Sequence, residues 1–239
     1  MKNRKELKFI CDDRDFARIE NRIKGVMQMD SHQEGTCYRI RSVYFDSPEH
    51  ACFYENQAGV GERVKYRIRI YNCSDSVIRA EIKSKEHDTT TKVSAKLTRE
   101  QFKACMHGGP LSAILGEGRE PAIVSEESSE GVLHTFAQKI TAEGYRPASV
   151  VDYERTAFVY GLCNVRVTFD RNIAASADYA HFFEPQMQTV PVCETGMHVL
   201  EVKYDEFLPD YIRMLLQTGE LRRTSFSKYY LSRLALPGS

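Results

Sequence analysis

Strict alternation of charged and apolar residues is the feature of this chain that most limits how it can fold. The segment from Lys65 to Ile70 alternates basic and apolar side chains without a break. Because a β-strand directs successive side chains to opposite faces, Lys65, Arg67 and Arg69 share one face, and a tyrosine and two isoleucines occupy the other. The segment therefore predicts a strand with one cationic face and one apolar face.

The same spacing recurs elsewhere, so the pattern is not confined to one strand. The further segments contain Glu81/Lys83/Lys85, Lys92/Ser94/Lys96, Asn164/Arg166/Thr168/Asp170 and Glu201/Lys203. Each charged face is backed by an apolar one, as expected if several strands share a polar interior and pack their outer faces against helices. Arg39 and Arg41 also alternate, but they share their face with Val43 and Phe45, which predicts a structural role for both arginines.

The order of the predicted elements favours an α+β fold with an antiparallel sheet, because strands and helices do not alternate as βαβ units. Strands are predicted at 4–10, 38–46, 65–71, 77–85, 92–98, 149–160, 164–170 and 198–204. Helices are predicted at 16–26, 47–56, from 98, at 132–143, from 208 and from 225, and the polar stretch 117–130 predicts a loop. No repeat or long linker divides the 239 residues, so we expect one domain, residues 1–239.

The overall charge argues against a general nucleic-acid-binding protein. Lysine and arginine together number 33, as do aspartate and glutamate, so the formal net charge is zero. A nucleic-acid-binding protein usually carries a basic excess that supplies its affinity. A balanced total still permits a strongly cationic cavity, because the sum does not report where the charges lie.

The cysteines and the apolar segments predict a cytoplasmic location. The seven cysteines are scattered and form no CxxC pair, which favours free thiols in a reducing compartment over disulfides or a zinc site. Residues 1–8 are charged and lack the apolar core of a signal peptide. No apolar run approaches the roughly 18 residues that a membrane span requires.

An interior face of lysine and arginine is physically tolerable only under restricted conditions. Each buried unpaired ion costs several kcal/mol, and converging cations also repel one another. Such a cavity is expected to be wet and to hold a polyanion, for which the arginine fork and the mobile lysine ammonium are suited when the ligand is phosphate. Carboxylates at Glu6, Glu81 and Glu201 fit this picture if one or more hold a hard divalent cation that bridges phosphate oxygens.

A simpler interpretation remains open for each segment taken alone. A single strand with alternating charge is usually a solvated face, and the Glu-x-Lys pattern at Glu6, Glu81 and Glu201 can also reflect cross-strand ion pairs. Ser225 and Ser227 are expected first of all as residues that cap a helix. The histidines show no metal-ligand spacing, and the segment 59–61 lacks the flanking residues of a P-loop. No sequence signature indicates a protein nucleophile.

Nine short motifs, in order along the chain, resemble the catalytic domain of vacuolar transporter chaperone (VTC) polyphosphate polymerases. These enzymes belong to the triphosphate tunnel metalloenzymes, as do CYTH-type triphosphatases and adenylate cyclases. The resemblance runs from about Arg4 to Leu234. The motifs are Arg4-x-Glu6-x-Lys8, Tyr38–Asp46, Lys65–Arg69, Glu81-x-Lys83, Tyr153–Phe158, Arg166–Asp170, Leu200–Lys203, Leu208–Asp210 and Ser225–Tyr229.

The resemblance implies an eight-stranded antiparallel β tunnel (barrel) with flanking helices, whose interior holds the phosphates of a nucleoside triphosphate. It implies that Glu201 holds a divalent metal, Mn²⁺ or Mg²⁺. Members often carry a basic run where this chain has only the spaced lysines Lys92 and Lys96, so which of the two enters the tunnel is open. By motif, it implies catalytic phosphate binding by Lys8, Arg67, Arg69, Lys83, Arg155, Arg166 and Lys228, and substrate binding by Lys92, Lys96, Tyr153, Lys203 and Ser227.

The implied activity is ATP-dependent polyphosphate synthesis, in which the γ-phosphoryl group passes to the end of a growing chain. The expected partners are therefore ATP and inorganic polyphosphate, with no nucleic acid and no membrane span. Two alternatives stay open. The same tunnel with water as acceptor would be a triphosphatase, and a tunnel without turnover would be a polyphosphate-binding module.

Overall fold

The computed structural model describes residues 4–33, 35–87, 89–116 and 128–236. The chain forms two compact units, each assembled from three separate segments. The first unit comprises Met1–Arg39, Asp152–Ala174 and Pro191–Lys228, and the second comprises Ile40–Val151, Ala175–Val190 and Tyr229–Ser239. The single domain expected from the sequence stays a prediction. The loop predicted at 117–130 lies, as far as residue 127, outside the described residues.

The described residues contain eight long strands, three strands of two residues and seven α-helices. In chain order they are β1 (Arg4–Asp12), α1 (Asp13–Ile23), β2 (Gln28–Met29), β3 (Tyr38–Asp46), α2 (Ala51–Gln57), β4 (Glu62–Tyr71), β5 (Ser74–Glu86), β6 (Thr89–Leu97), α3 (Arg99–His107), α4 (Leu111–Leu115), α5 (Ser129–Thr141), β7 (Arg146–Tyr160), β8 (Val165–Ser176), β9 (Val190–Pro191), β10 (Met197–Asp205), α6 (Asp210–Leu216), β11 (Arg222–Arg223) and α7 (Lys228–Ala235).

In the first unit, the strands form a sheet with one polar face and, on its opposite side, one apolar face. The strand order is β11–β1–β10–β8–β7. Lys8 of β1 pairs with Glu201 of β10, which pairs with Thr168 of β8, so these side chains share a face. The apolar residues between them form a buried core with residues of α1 and α6, including Ile19 and Ile212.

In the second unit, β3, β4, β5 and β6 follow one another in an antiparallel sheet. Ile68 and Ile70 are buried on the apolar face of β4, as their alternation with Arg67 and Arg69 predicts. Helix α5 covers this face, and its Phe136 contacts the ring of Tyr66. The charged faces of the same strands point away from α5.

The predicted elements agree with the structure except at some ends, where local hydrogen bonds decide the boundary. Strand β3 has the predicted bounds of 38–46. The helix predicted from Ser47 begins only at Ala51, because the Asp46 carboxylate accepts hydrogen bonds from the amide of Ser47 in the preceding turn and from the amide of Cys52 in the first turn of the helix. Helix α3 begins where expected, with a reciprocal capping box between Thr98 and Gln101.

Two sequence expectations about the class of protein can be checked directly. All seven cysteines lie in described parts of the chain and are free thiols, which confirms that they form no disulfide framework. In the described residues, no helix combines the length and the apolar character needed to cross a bilayer.

The apolar face of β4 should be a main source of stability for the second unit. We expect Ile68→Ala to lower the free energy of unfolding by about 3 kcal/mol, because it leaves a cavity in the core where the side chain is fully buried. Leu234→Ala, at a side chain that is 57% exposed, is the matched control and should change stability by about 0.5 kcal/mol or less. Urea denaturation measures both, and equal losses would contradict the assigned core.

Candidate functional site

The charged faces of β4, β5 and β6 form a cationic surface with a single carboxylate at its centre. We call this surface the β4–β6 face. Arg67 lies directly across from Glu81, which lies across from Ser94. The rows on either side of this one contain only cations: Lys65, Lys83 and Lys92 in one, and Arg69, Arg79 and Lys96 in the other. Both candidate lysines of β6 therefore belong to the same face, and which of them contacts a ligand stays a prediction.

Glu81 holds the cations of this face in place. Its carboxylate is fully buried, and Arg67 Nε and Lys92 Nζ lie 2.7 Å and 3.0 Å from its two oxygens. Arg69 is farther away, at 3.7 Å. Burial alone would raise the pKa of Glu81, but the charges of Arg67, Arg69 and Lys92 outweigh it and hold the pKa well below its usual range. The carboxylate is thus ionised and committed to pairing with cations.

Two side chains of β3 extend this site, and the sequence analysis missed both. Tyr44 Oη accepts a hydrogen bond of 3.0 Å from Arg67, and Ser42 Oγ accepts one of 3.1 Å from Arg69. The signal was present, because Ser42 and Tyr44 alternate with Arg41.

The two arginines of β3 have the structural role that their alternation predicts. Arg41 is only 1% exposed and donates hydrogen bonds to the main-chain carbonyls of Phe182 and Glu184. Arg39 forms an ion pair of 3.0 Å with Asp152. Both guanidinium groups are thus engaged on the side of the strand away from Tyr44.

The first unit has a second mixed-charge surface, which we call the β1–β10 face. Glu201 of β10 is 5% exposed and contacts the ammonium group of Lys203. On β1, Lys8 Nζ lies 2.9 Å from the Glu6 carboxylate and 3.3 Å from the carbonyl oxygen of Phe226. Burial opposes the charged form of Glu201, but Lys203 and Lys8 hold its pKa well below the usual value. Burial lowers the pKa of Lys203. The pKa of Lys8 is raised instead, because the charges of Glu201 and Glu6 outweigh the effect of burial.

Asp170 orients two further cations on the same face. Arg155 makes a two-pronged contact with it, at 2.6 Å and 2.7 Å, and Lys228 Nζ lies 2.6 Å from one of its oxygens. Burial raises the pKa of this carboxyl, but Arg155 and Lys228 outweigh burial and lower it. The Tyr153 ring lies beside both cations, 4.9 Å from Lys228 Nζ. The sequence placed Asp170 in a motif without a role, and the structure shows that it positions the predicted ligands.

Arg166 is held by a different carboxylate. Its NH2 lies 2.7 Å from Asp30 Oδ2 and 3.2 Å from the Tyr38 hydroxyl. In the sheet it lies directly across from Lys203, so it belongs to the β1–β10 face. Asp30 follows the short strand β2, and no alternation marked it, because only the folded chain brings it to Arg166.

The oxygen atoms around Glu201 are of the kind that coordinates a divalent metal. The Thr168 hydroxyl, directly across from Glu201, is buried and has no hydrogen-bond partner in the structure. With the Glu6 carboxylate nearby, this side of the face offers the hard oxygen donors that Mg²⁺ and Mn²⁺ prefer. The described residues contain no group of three His, Cys, Asp or Glu side chains arranged for a metal. These donors therefore fit a cation whose remaining ligands come from phosphate and water.

The predicted site residues are thus distributed over two faces, each within one unit. Lys8, Tyr153, Arg155, Arg166, Glu201, Lys203, Ser227 and Lys228 belong to the first unit, and Arg67, Arg69, Lys83, Lys92 and Lys96 to the second. Ser227 immediately precedes α7. In both units the predicted cations of one face converge on shared carboxylates.

Comparison with known families identifies the chain. The model of the VTC domain matches residues 3–236. The chain belongs to the VTC-domain family. No curated protein matches it.

Solved structures show the same fold at low sequence identity. One is a candidate adenylyl cyclase from Hippeastrum, described as having a dominant triphosphatase activity, with 11% identity, a TM-score of 0.52, and coverage of 99% of this chain and 98% of that one. Another is a candidate adenylate cyclase from Vibrio parahaemolyticus, with 12% identity, a TM-score of 0.51, and coverage of 96% and 97%. With the family match, they confirm the predicted α+β antiparallel tunnel class with flanking helices.

The buried ion pairs of Glu81 should make stability depend on pH. In the folded state the pKa of Glu81 lies below the usual 4.5. The stability that the ionised Glu81 adds to the folded state is therefore complete above pH 4.5, and it is lost as the pH falls towards the folded-state pKa. We expect Glu81→Gln to lower the free energy of unfolding by about 3 kcal/mol at pH 7. The difference from wild type should shrink by about 2 kcal/mol at pH 3.

Urea titrations at the two pH values measure this effect. Glu86→Gln, at an exposed residue of the same strand, is the control and should show no comparable change between pH 7 and pH 3. A constant difference between wild type and Glu81→Gln would show that Glu81 is not the ionised anchor of this face.

Proposed function

We propose that this protein is an ATP-dependent polyphosphate polymerase. Membership of the VTC-domain family supports an enzyme that acts on triphosphates. The observation that carries the finer proposal is the pair of all-cation rows on the β4–β6 face. Like charges placed directly across from one another in a sheet are destabilising, so these rows are best explained by a polyanionic ligand.

The proposed reaction moves one phosphoryl group. A terminal oxygen of the polyphosphate chain attacks the γ-phosphorus of ATP, the bond from that phosphorus to the β–γ bridging oxygen breaks, and ADP leaves. The attacking phosphate oxygen is already anionic at neutral pH, so the reaction needs no general base. This agrees with a sequence that lacks a recognisable nucleophile.

The residues of the two faces would act by positioning and by charge stabilisation. Arg67 and Lys92 are held by Glu81, and Arg155 and Lys228 by Asp170, so their charges are oriented before the substrate arrives. Such preorganised cations stabilise the charge that accumulates on the transferring group without further rearrangement. Lys8, Arg69, Lys83, Arg166, Lys96, Lys203, Tyr153 and Ser227 are proposed to complete the phosphate contacts.

Glu201, with the Thr168 hydroxyl across from it, is proposed to hold Mn²⁺ or Mg²⁺. A bound divalent cation would neutralise charge on the phosphate oxygens. Lys203, which contacts Glu201 in this structure, would then have to release part of that carboxylate to the metal.

A triphosphatase is the second candidate. The observation in its favour is the shared fold with the Hippeastrum protein, which is described as having a dominant triphosphatase activity. Hydrolysis differs only in the acceptor, which would be water. A phosphate-binding module without turnover is the third possibility.

One assay separates these three functions. Purified protein is incubated with ATP and Mn²⁺, and the products are sized on a gel and analysed for ADP and free phosphate. Long polymer with ADP supports the polymerase. ADP and phosphate without polymer would identify a triphosphatase, and unchanged ATP with retained polyphosphate binding would identify the module.

Removing the central arginine of the β4–β6 face should disable the reaction. We expect Arg67→Ala to reduce polymer formation at least about 100-fold, because it removes a preorganised donor to phosphate oxygens. Arg213→Ala, an exposed arginine on α6, is the matched control and should retain wild-type activity. The rate of ADP release measures both variants, and normal synthesis by Arg67→Ala would refute the assigned role.

The metal assignment has a test that does not depend on turnover. We expect Glu201→Gln to weaken binding of Mn²⁺ in the presence of a non-hydrolysable ATP analogue by about tenfold or more, because it removes the anionic oxygen ligand. Electron paramagnetic resonance measures the free Mn²⁺. Glu49→Gln, at an exposed glutamate, should bind Mn²⁺ like wild type. Unchanged Mn²⁺ affinity in Glu201→Gln would reject this ligand.

A further inference from the structure

The cationic pattern of β4 and β5 continues beyond the β4–β6 face. The next row contains Arg63 and Lys85, directly across from each other, with Thr90 beside Lys85 on β6. Both cationic side chains are partly exposed. Arg63 donates a hydrogen bond of 2.8 Å to the carbonyl oxygen of Val60. This row therefore adds another pair of like charges. The family motifs assign no role to Arg63 or Lys85.

Among the residues that the structure describes, no carboxylate lies directly across from these cations. Glu62 and Glu86 pair with each other in the next register, so they occupy the opposite face of the two strands. Asp46, at the end of β3, has its oxygens occupied by the amides of Cys52 and Phe53 and by the Tyr229 hydroxyl. The Arg63–Lys85 row is thus a site of positive charge.

The cationic strip is longer than a triphosphate. From Arg63 to Arg69 there are six residues of strand, which at about 3.4 Å per residue span about 20 Å. In a triphosphate the phosphorus atoms are joined through single bridging oxygens, so three of them reach over only part of this distance. The strip therefore has room for additional phosphates in line with those that react.

We propose that Arg63 and Lys85 form a subsite for the distal phosphates of an inorganic polyphosphate chain. This inference rests on the proposed function, because it deepens the description of the same surface. The ligand is a chain without bases, since nucleic acid bound along a strand surface usually stacks its bases on aromatic side chains. The row of Arg63, Lys85 and Thr90 presents no aromatic side chain on which a base could stack.

Chain-length-dependent binding tests the subsite without relying on catalysis. Affinities for tripolyphosphate and for a long-chain polyphosphate are measured by calorimetry at several salt concentrations. Wild type should bind the long chain more tightly and with a steeper salt dependence. We expect Arg63→Gln/Lys85→Gln to bind the long chain about tenfold more weakly and with a shallower salt slope, and to bind tripolyphosphate within about twofold of wild type.

Two control proteins keep the result interpretable. Arg63→Lys/Lys85→Arg keeps both charges and should restore long-chain binding. Lys103→Gln/Arg213→Gln removes two exposed cations from α3 and α6 and should bind both ligands like wild type. Matching urea midpoints for all variants show that the sheet is intact, and if the double Gln variant unfolds, Lys85→Gln alone serves the same test.

Each outcome decides the inference. It is overturned if the double Gln variant binds the long chain like wild type, if wild type does not distinguish the two chain lengths, or if a single-stranded oligonucleotide competes equally well. If wild type makes no polymer from ATP but shows the expected loss of long-chain binding in the variant, the proposed polymerase fails and the subsite stands.

Discussion

Repulsion among cations is the constraint on which both faces of this structure depend. Rows of lysine and arginine lie directly across from one another on β4, β5 and β6, an arrangement that costs free energy in the absence of anions. Glu81 partly offsets this cost on the β4–β6 face, because it is fully buried and pairs with Arg67 and Lys92. On the β1–β10 face, the buried Asp170 pairs in the same way with Arg155 and Lys228. Glu81 alone does not neutralise the three rows of the β4–β6 face. The remaining positive charge of that face supports the proposal of a phosphate chain as ligand.

The same carboxylates give the faces their geometry. Arg155 is fixed by two short bonds to Asp170, and Arg166 by two bonds to Asp30, so their guanidinium groups need little rearrangement to meet a ligand. An enzyme that transfers a phosphoryl group between two phosphates needs no base or nucleophile of its own, and it gains most from fixed charge. The site thus consists largely of oriented cations, with Glu201 as a separate carboxylate beside an unpartnered hydroxyl.

The fold and the chemistry of this family are specified at different levels. The structures from Hippeastrum and Vibrio parahaemolyticus share the fold at 11% and 12% identity. In this chain, the alternation of polar and apolar residues gives the long strands one polar face and one apolar face. Individual residues such as Arg63 and Lys85 then adapt the cavity face to a ligand of a particular length, as proposed for this chain.

The sequence by itself determined the strands, their two-faced character and the cations that share a face of each strand, because a period of two residues fixes which side chains share a face. It also predicted the structural role of Arg41, which shares its face of the strand with Val43 and Phe45. Tertiary structure alone decided the register between the strands, and therefore that Lys65, Lys83 and Lys92 form one row. It also brought Asp30 to Arg166 and Asp170 to Arg155 and Lys228. The physical reason is that strand register and the position of a loop depend on packing between segments far apart in the chain, which no local pattern encodes.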